Sequence, residues 1–452
     1  MSEPNLETWV WVWIIVATYV VARQWRSGSV GLLFTYVLSF GALHWLTALL
    51  SLLPWYESRF PDLTADGLIQ STFAMMAFAV GAECMAFCLR FSTIAHATGE
   101  RSPHKMVPDV FLNGYVISGM VMYAVLTRFG STLPTVNALV NTGSLLTVVG
   151  VGLKCWNAWH QGKSLRMWRW FASTSVFPLV TVIAQGFLGY GFAAALTVFA
   201  FFASFYRPRW RVMAIAVLLS YFGLSGYVTY MRDRRDIRAV VWSGGDISER
   251  LARLTDTLAA TEWFDVYNVE HLSRIESRLN QDYLTGAAVS QVRSGVATLA
   301  NGETLKDAML GFVPRALWPD KPVTAGSGDL VTTYTGFRFD ANTAVGIGQV
   351  LECYVNFGTT GVVVGFFLIG ALIVLVDRSA YARLNDGDFS GFTLWYLPGL
   401  ALLNVGGSFV EVTSSAGAAF AVAFIAQRLA LHMAPALRPT PWTHATAKAS
   451  EI

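Results

Sequence analysis

One polar segment, residues 231–342, interrupts a chain that is otherwise a succession of apolar windows. Each window holds about 20 residues with almost no charge, enough for a helix to cross roughly 30 Å of hydrocarbon. Irregular backbone cannot face lipid, so these windows must be helices. Only 13% of the 452 residues are charged and 54% are hydrophobic, against about 25% charged in a soluble domain. A bilayer is therefore the solvent for most of the chain, and polar chemistry is concentrated in the segment at 231–342 and the span ends beside it.

About eleven windows qualify as spans: 9–22, 29–53, 69–93, 110–128, 132–153, 170–188, 190–206, 210–230, 345–376, 391–408 and 411–432. Between the sixth and seventh, Gln185-Gly-Phe-Leu-Gly-Tyr-Gly191 reads as a tight hairpin or a kink in one long element. The fold class is thus an all-α polytopic membrane protein in four parts. Residues 1–230 form an N-terminal bundle of about eight helices and 231–342 a large outer loop. Residues 343–434 add about three helices, and the Pro-, Ala- and Thr-rich tail at 435–452 is disordered.

Positive charge orients the spans. Arg23 and Arg26, then Arg101 and Lys105, then Lys154, Lys163, Arg166 and Arg169, then Arg207, Arg209 and Arg211 fall on alternate connections. Such clusters stay cytoplasmic, which puts the N-terminus and the polar segment outside and the C-terminus inside. In a bacterium the outer face is periplasmic. The N-terminus has neither the basic start nor the cleavage site of a secretory signal, so its first apolar run is expected to remain as a span.

Several function classes are excluded. A net charge of +3 without a basic stripe argues against nucleic acid. Cys84, Cys88, Cys155 and Cys353 have neither disulfide nor metal spacing, so they read as small buried residues and no cofactor is indicated. No fixed-period repeat and no inverted pair of broken helices points to a secondary transporter.

The polar segment itself reads as ordered. Asp246 to Leu258 carries apolar residues at helical spacing behind an acidic start, and Leu272, Ile275 and Leu279 form a second stripe. A third amphipathic piece spans 304–312. These helices are expected on the outer membrane surface or over a cavity.

Arg274 and Arg278 stand one turn apart, a spacing that can grip a diphosphate through bidentate hydrogen bonds. The other reading is a solvated face paired with Glu270 and Glu276. Val313-Pro-Arg315-Ala-Leu-Trp318-Pro-Asp-Lys321-Pro322 combines a proline-fixed backbone, two cations and an aromatic face, or is a rigid turn with an interfacial tryptophan. Glu352 and Asn356 enter the ninth span four apart, with Gln349 on the same side. A carboxylate there can serve as general base to a sugar hydroxyl or hold an arginine. His271 is the one histidine of the segment and a second candidate base. His44 and Glu83 lie within spans, while Arg128 and Glu411 stand at outer span ends.

With these residues in view, the chain resembles the Wzy-type oligosaccharide repeat-unit polymerases of bacterial O-antigen and exopolysaccharide synthesis. The resemblance is carried by many spans with one dominant outer loop, by Pro-Arg-x-Leu-Trp-Pro-x-Lys-Pro at 314–322, and by Glu352-x-Tyr-x-Asn-Phe-Gly358. It is clearest over about 270–375. An arginine separated by ten residues from a glycine, here Arg315 and Gly326, accompanies it.

The resemblance implies a GT-C-like membrane glycosyltransferase in the bacterial inner membrane. Its substrates would be undecaprenyl diphosphate-linked oligosaccharides in the lipid bilayer, with a flippase and a chain-length regulator as pathway partners. Neither nucleotide sugar nor metal would be needed, because the lipid diphosphate is the leaving group. Under it, Arg274, Arg278 and Arg315 stabilise the departing diphosphate with support from Lys321. Glu352, then His271, orient the attacking hydroxyl, as loop histidines do in related O-antigen ligases. Trp318 and Asn356 bind substrate. The rival readings are an O-antigen ligase, a transporter or flippase of lipid-linked glycans, and a non-catalytic assembly subunit. On the polymerase reading, Arg315→Ala abolishes polymer while the protein still reaches the membrane. A normal polymer ladder from that variant contradicts it.

Overall fold

The computed structural model describes residues 6–26, 28–94, 107–129, 134–206, 210–311, 313, 318, 327–339 and 345–433. Among them the chain is entirely helical. The first ten helices are α1 (Leu6–Arg26), α2 (Leu32–Phe40), α3 (Leu46–Leu50), α4 (Pro61–Ile94), α5 (Asp109–Phe129), α6 (Pro134–Ser144), α7 (Leu146–His160), α8 (Ser164–Ala172), α9 (Val176–Gln185) and α10 (Leu188–Tyr206). A π turn, Gly41–Trp45, joins α2 to α3. The polar segment is entered by α11 (Trp210–Trp242) and holds α12 (Ile247–Ala259), α13 (Val269–Leu279), α14 (Asp282–Arg293), α15 (Glu303–Gly311) and α16 (Ser327–Thr335). The chain closes with α17 (Gln349–Asn385), α18 (Phe389–Ala401) and α19 (Phe409–Met433).

Seven helices are long and apolar enough to cross a membrane, so this is an all-α membrane protein. They lie at Leu6–Arg23, Leu32–Leu50, Pro61–Arg90, Leu139–His160, Leu188–Tyr206, Gln349–Asn385 and Phe409–Leu429. Of the other four windows, 110–128 lies in α5, 21 residues long, and 210–230 in α11, 33 residues long, while two fall on shorter elements. α9 has 10 residues, only ~15 Å of helix, and α18 has 13, ~20 Å. The break between the sixth and seventh windows is a hairpin: Gly186 takes a left-handed φ of 74°. Its carbonyl accepts from Tyr230 Oη at 2.7 Å and Arg238 Nε at 3.1 Å. Lys154, counted among the orienting charges, is buried in α7; it donates to Asn113 Oδ1 at 2.6 Å and lies over the Trp170 ring.

α4 is the axis of the bundle, and glycines let other backbones reach it. A side chain at Gly81 would meet the Phe367 carbonyl of α17, and one at Gly370 would meet the Phe78 carbonyl of α4. The same device seats α14: a Cβ at Gly286 would stand 1.8 Å from Leu63 O, and one at Gly67 would stand 2.0 Å from Asp282 O. Small residues at a crossing give the close van der Waals contact that holds helices together in lipid. α14 is buried almost continuously from Asp282 to Val289, and Leu284, Ala288 and Val289 belong to the main core. Part of the polar segment therefore dips into the bundle. Gly67 lies six residues inside α4, so the turn at Asn280–Asp282 reaches ~9 Å below its start.

α17 is interrupted near its beginning. Phe357 (φ −140°) and Gly358 (φ 61°) leave the helical region, cutting off a half-helix that carries Gln349, Glu352 and Asn356. Two connections meet beside it: Gly348 N donates to Gly406 O at 3.1 Å and Gln349 N to Val405 O at 3.2 Å. At the other end of α17, buried Asp377 accepts from the amides of Val30 (3.3 Å) and Leu32 (2.9 Å). It thereby caps α2, whose own N-cap is Gly31.

Gly286→Ala is expected to destabilise the detergent-purified protein by ~1–3 kcal/mol through overpacking. Gly114→Ala, where a Cβ meets nothing within 4 Å, should leave the thermal midpoint in place. Equal midpoints for the two variants contradict the seating of α14 on α4.

Candidate functional site

The Asn268 side chain caps α13 by accepting from the amides of Glu270 (3.0 Å) and His271 (3.4 Å). Its stripe of Leu272 and Ile275 packs with Leu50 and Tyr56, as the helical spacing predicts. On the opposite side Arg274 and Arg278 have different fates. Arg274 donates to Glu262 Oε2 and Glu270 Oε1, both at 2.6 Å, and to Val228 O at 3.3 Å. Its guanidinium is taken up by structural partners, and Glu262 takes the place expected of Glu276. Burial raises the Glu262 pKa, but Arg232 and Arg274 outweigh it and hold the carboxyl below the usual range.

Glu276 turns inward and accepts from Tyr56, Ser58, the Arg59 amide and Asn280. His271 is also enclosed. Its Nδ1 accepts from the Asp265 amide at 3.1 Å, its Nε2 faces Glu262 Oε2 at 3.5 Å, and its ring stacks on Phe264. As a base it has no open nitrogen; it braces the 262–265 turn.

Arg278 is exposed and has neither an ion-pair nor a hydrogen-bond partner among the described residues. It faces Arg234, half-buried on the extramembrane end of α11 and likewise without a carboxylate partner there. Burial, then Arg278 and Arg238, pull the Arg234 pKa down to about 10. Both arginines act on the Tyr227 hydroxyl, which is buried and without a hydrogen-bond partner. On the far side of Arg278, the Tyr283 hydroxyl lies in the field of both Arg278 and Arg59. Electrostatic coupling thus links Arg234, Tyr227 and Arg278, and through Tyr283 links Arg278 with Arg59. Guanidinium groups that act on one another and have no ion pair among the described residues suit an anion.

The half-helix of α17 gathers a second polar cluster. Asn356 is fully buried and fully bonded, donating to Thr304 Oγ1 and Glu352 O at 2.7 Å and accepting from Gly302 N at 3.0 Å. It is a clamp between α17 and the turn before α15, which leaves it no group for substrate. Glu352 is also fully buried; Oε2 accepts from Phe409 N at 2.6 Å, while Oε1 accepts no hydrogen bond at bonding geometry. Its charged neighbour is Glu411, exposed in the first turn of α19. Among the described residues no arginine is paired with Glu352, and its neighbours differ from those of Arg278. The expected convergence of Arg274, Arg278 and Glu352 is thus replaced by two polar centres.

Arg315 and Lys321 lie outside the described residues, and so does the Arg128 side chain. Trp318 is partly exposed. Gly311, just before that stretch, packs against Val410, Thr413 and Ser414 at the Glu411 end of α19. Glu83 is held by a bidentate pair with Arg23 at 2.8 and 2.9 Å. His44 Nδ1 meets Asp282 Oδ1 at 2.7 Å with both side chains buried, joining the π turn to α14. Among the described residues, no three His, Cys, Asp or Glu side chains gather as a metal site would require.

Arg234, Arg59 and Asp282 were not singled out by motif. The signal for Arg234 is the run Met231-Arg-Asp-Arg-Arg-Asp-Ile-Arg238, which continues α11 beyond its apolar window. That for Asp282 is Leu284-Thr-Gly-Ala-Ala-Val289, an apolar island in the polar segment. Comparison with known proteins returns no matching family model, curated relative or solved structure.

Arg274→Ala is expected to cost ~1–3 kcal/mol of stability at neutral pH, since it removes charged hydrogen bonds from a partly buried carboxylate. Glu262 has a folded pKa below its unfolded value of about 4.3, so its contribution is complete above that pH. It is lost as pH falls through the folded pKa. The gap in thermal midpoint between wild type and variant should therefore close in acid; a gap independent of pH contradicts the pairing.

Proposed function

We propose that this protein is a membrane glycosyltransferase that polymerises undecaprenyl diphosphate-linked oligosaccharide repeat units at the periplasmic face of the bacterial inner membrane. The observation that carries the proposal is the group of Arg234, Tyr227 and Arg278. Two guanidinium groups without carboxylate partners flank an unpartnered phenol, a combination suited to the two phosphates of a lipid-linked sugar. The sequence resemblance over 270–375 supplies the reaction class.

In the transfer step, a hydroxyl oxygen of the incoming repeat unit attacks the anomeric carbon of the growing chain. The bond from that carbon to the diphosphate breaks, and its electron pair leaves on phosphate oxygen. The hydroxyl proton passes to a carboxylate. Arg278 and Arg234 stabilise the charge developing on the leaving group, with Arg315 as the cation supplied by the family pattern. At the second polar centre Glu352 is enclosed and Glu411 exposed, so Glu411 is the carboxylate there that is open to take a proton. Holding both lipid-linked substrates in one leaflet supplies much of the remaining acceleration.

A second reading is favoured by the break in α17 and the inserted α14. Irregular backbone at membrane depth, next to the buried His44–Asp282 pair, is also how transporters build their binding sites.

Reconstitution with the cognate lipid-linked repeat unit separates the readings. Wild type should build a ladder without other enzymes. Arg278→Ala and Arg234→Ala should slow it by ~10²–10³-fold, as loss of a charge-stabilising donor does. A ladder unaffected by both substitutions overturns the proposal. A single transfer to a different acceptor identifies a ligase, and movement of the lipid across vesicles without polymer identifies a flippase.

A further inference from the structure

The group of cations exceeds what a diphosphate needs. A diphosphate joining lipid to sugar carries one negative charge per phosphorus, which Arg234 and Arg278 suffice to match. Arg59 is left over. It is exposed, its guanidinium has no ion-pair partner among the described residues, and like Arg278 it acts on the Tyr283 hydroxyl.

What surrounds Arg59 is aromatic. Its guanidinium carbon lies 5.3 Å above the Phe60 ring. Phe60 stacks on Tyr283 with centroids 5.3 Å apart and planes inclined by 14°. Phe337 closes the group at 5.5 Å from Phe60 and 5.7 Å from Tyr283. All three rings are half-buried, and Arg338 beside Phe337 is a further exposed cation. The cluster joins three separate parts of the chain: the connection before α4, the start of α14 and the strip after α16.

Aromatic rings beside an unmatched guanidinium suit a sugar that carries a carboxylate. The apolar face of the sugar lies against the rings, and the planar guanidinium takes the carboxylate through two parallel hydrogen bonds. A neutral sugar would leave Arg59 unmatched, and a second lipid diphosphate would have no use for three rings. We infer that the surface at Arg59, Phe60, Tyr283 and Phe337 is a glycan subsite for an acidic sugar of the repeat unit, next to the diphosphate position at Arg278 and Arg234. This rests on the proposed function for what occupies Arg278 and Arg234, but the two are separable by experiment.

Binding to the detergent-purified full-length protein is measured for three probes: trigalacturonate, the neutral galactose trisaccharide of the same linkage, and inorganic diphosphate. Trigalacturonate should bind at least about tenfold more tightly than the neutral trisaccharide, the worth of one charged hydrogen-bonded pair. Arg59→Ala should remove that preference and leave diphosphate binding unchanged. Arg278→Ala should weaken diphosphate by about tenfold on the same grounds. Phe60→Ala should weaken trigalacturonate while Arg59 and Arg278 remain.

Equal binding of the two trisaccharides, or no binding of trigalacturonate, overturns the inference. So does a loss of diphosphate binding in Arg59→Ala as large as in Arg278→Ala, because Arg59 would then belong to the phosphate position. Diphosphate binding indifferent to Arg278 and Arg234 instead strikes the proposed function, whatever the trisaccharides do.

Discussion

Backbone amides and carbonyls at membrane depth have no water to bond, so a helix that breaks there must find partners within the protein. Two interruptions meet this demand, and the polar architecture depends on them. Where α17 breaks, the freed Val355 carbonyl accepts from Ala300 N at 2.8 Å. Asn356 covers the Glu352 carbonyl with its amide nitrogen and the Gly302 amide with its oxygen. Where the polar segment dips between α13 and α14, the π turn presents Leu43 O to the Gln281 amide at 3.1 Å. Each interruption is paid for by a residue that sequence alone offers as a substrate ligand or an idle span residue.

These partnerships divide the chemistry. Asn356, Arg274, His271 and Glu276 have the residue types of a catalytic site, but their hydrogen-bonding groups are occupied in holding α11, α13, α15 and α17 together. What is left open is smaller and lies elsewhere. One centre is the exposed Glu411 beside the enclosed Glu352 at the broken helix; the other is the set of arginines on α11, α13 and the connection before α4. α14 carries at its start Tyr283, whose hydroxyl lies in the field of Arg278 and Arg59, and it packs on α4 and touches α17.

Much of the fold is legible because lipid imposes a single rule on composition. The seven long apolar helices overlap windows of low charge, and the stripe of α13 packs as its spacing predicts. The capping box at Asp246 and Glu249 follows from a carboxylate ahead of an apolar run. Composition says least about elements shorter than a span. α9 and α18 have the hydropathy of spans without the length, and α14 is hidden in a segment whose average is polar. Hydropathy reports the environment over about 19 residues, and these helices are shorter than that.

The sequence by itself determined that this is a helical membrane protein with its polar chemistry gathered in one segment and the span ends beside it. It also narrowed the interest to a handful of arginines and a carboxylate entering the ninth span. Only the tertiary structure decided which of them are free. Arg274 and Arg278 are the same residue one turn apart on the same helix, yet the first is neutralised by Glu262 and Glu270 and the second faces another cation. Charge pairing depends on distances of a few ångströms between segments remote in the chain, and no spacing along α13 records where Glu262 or Arg234 will stand.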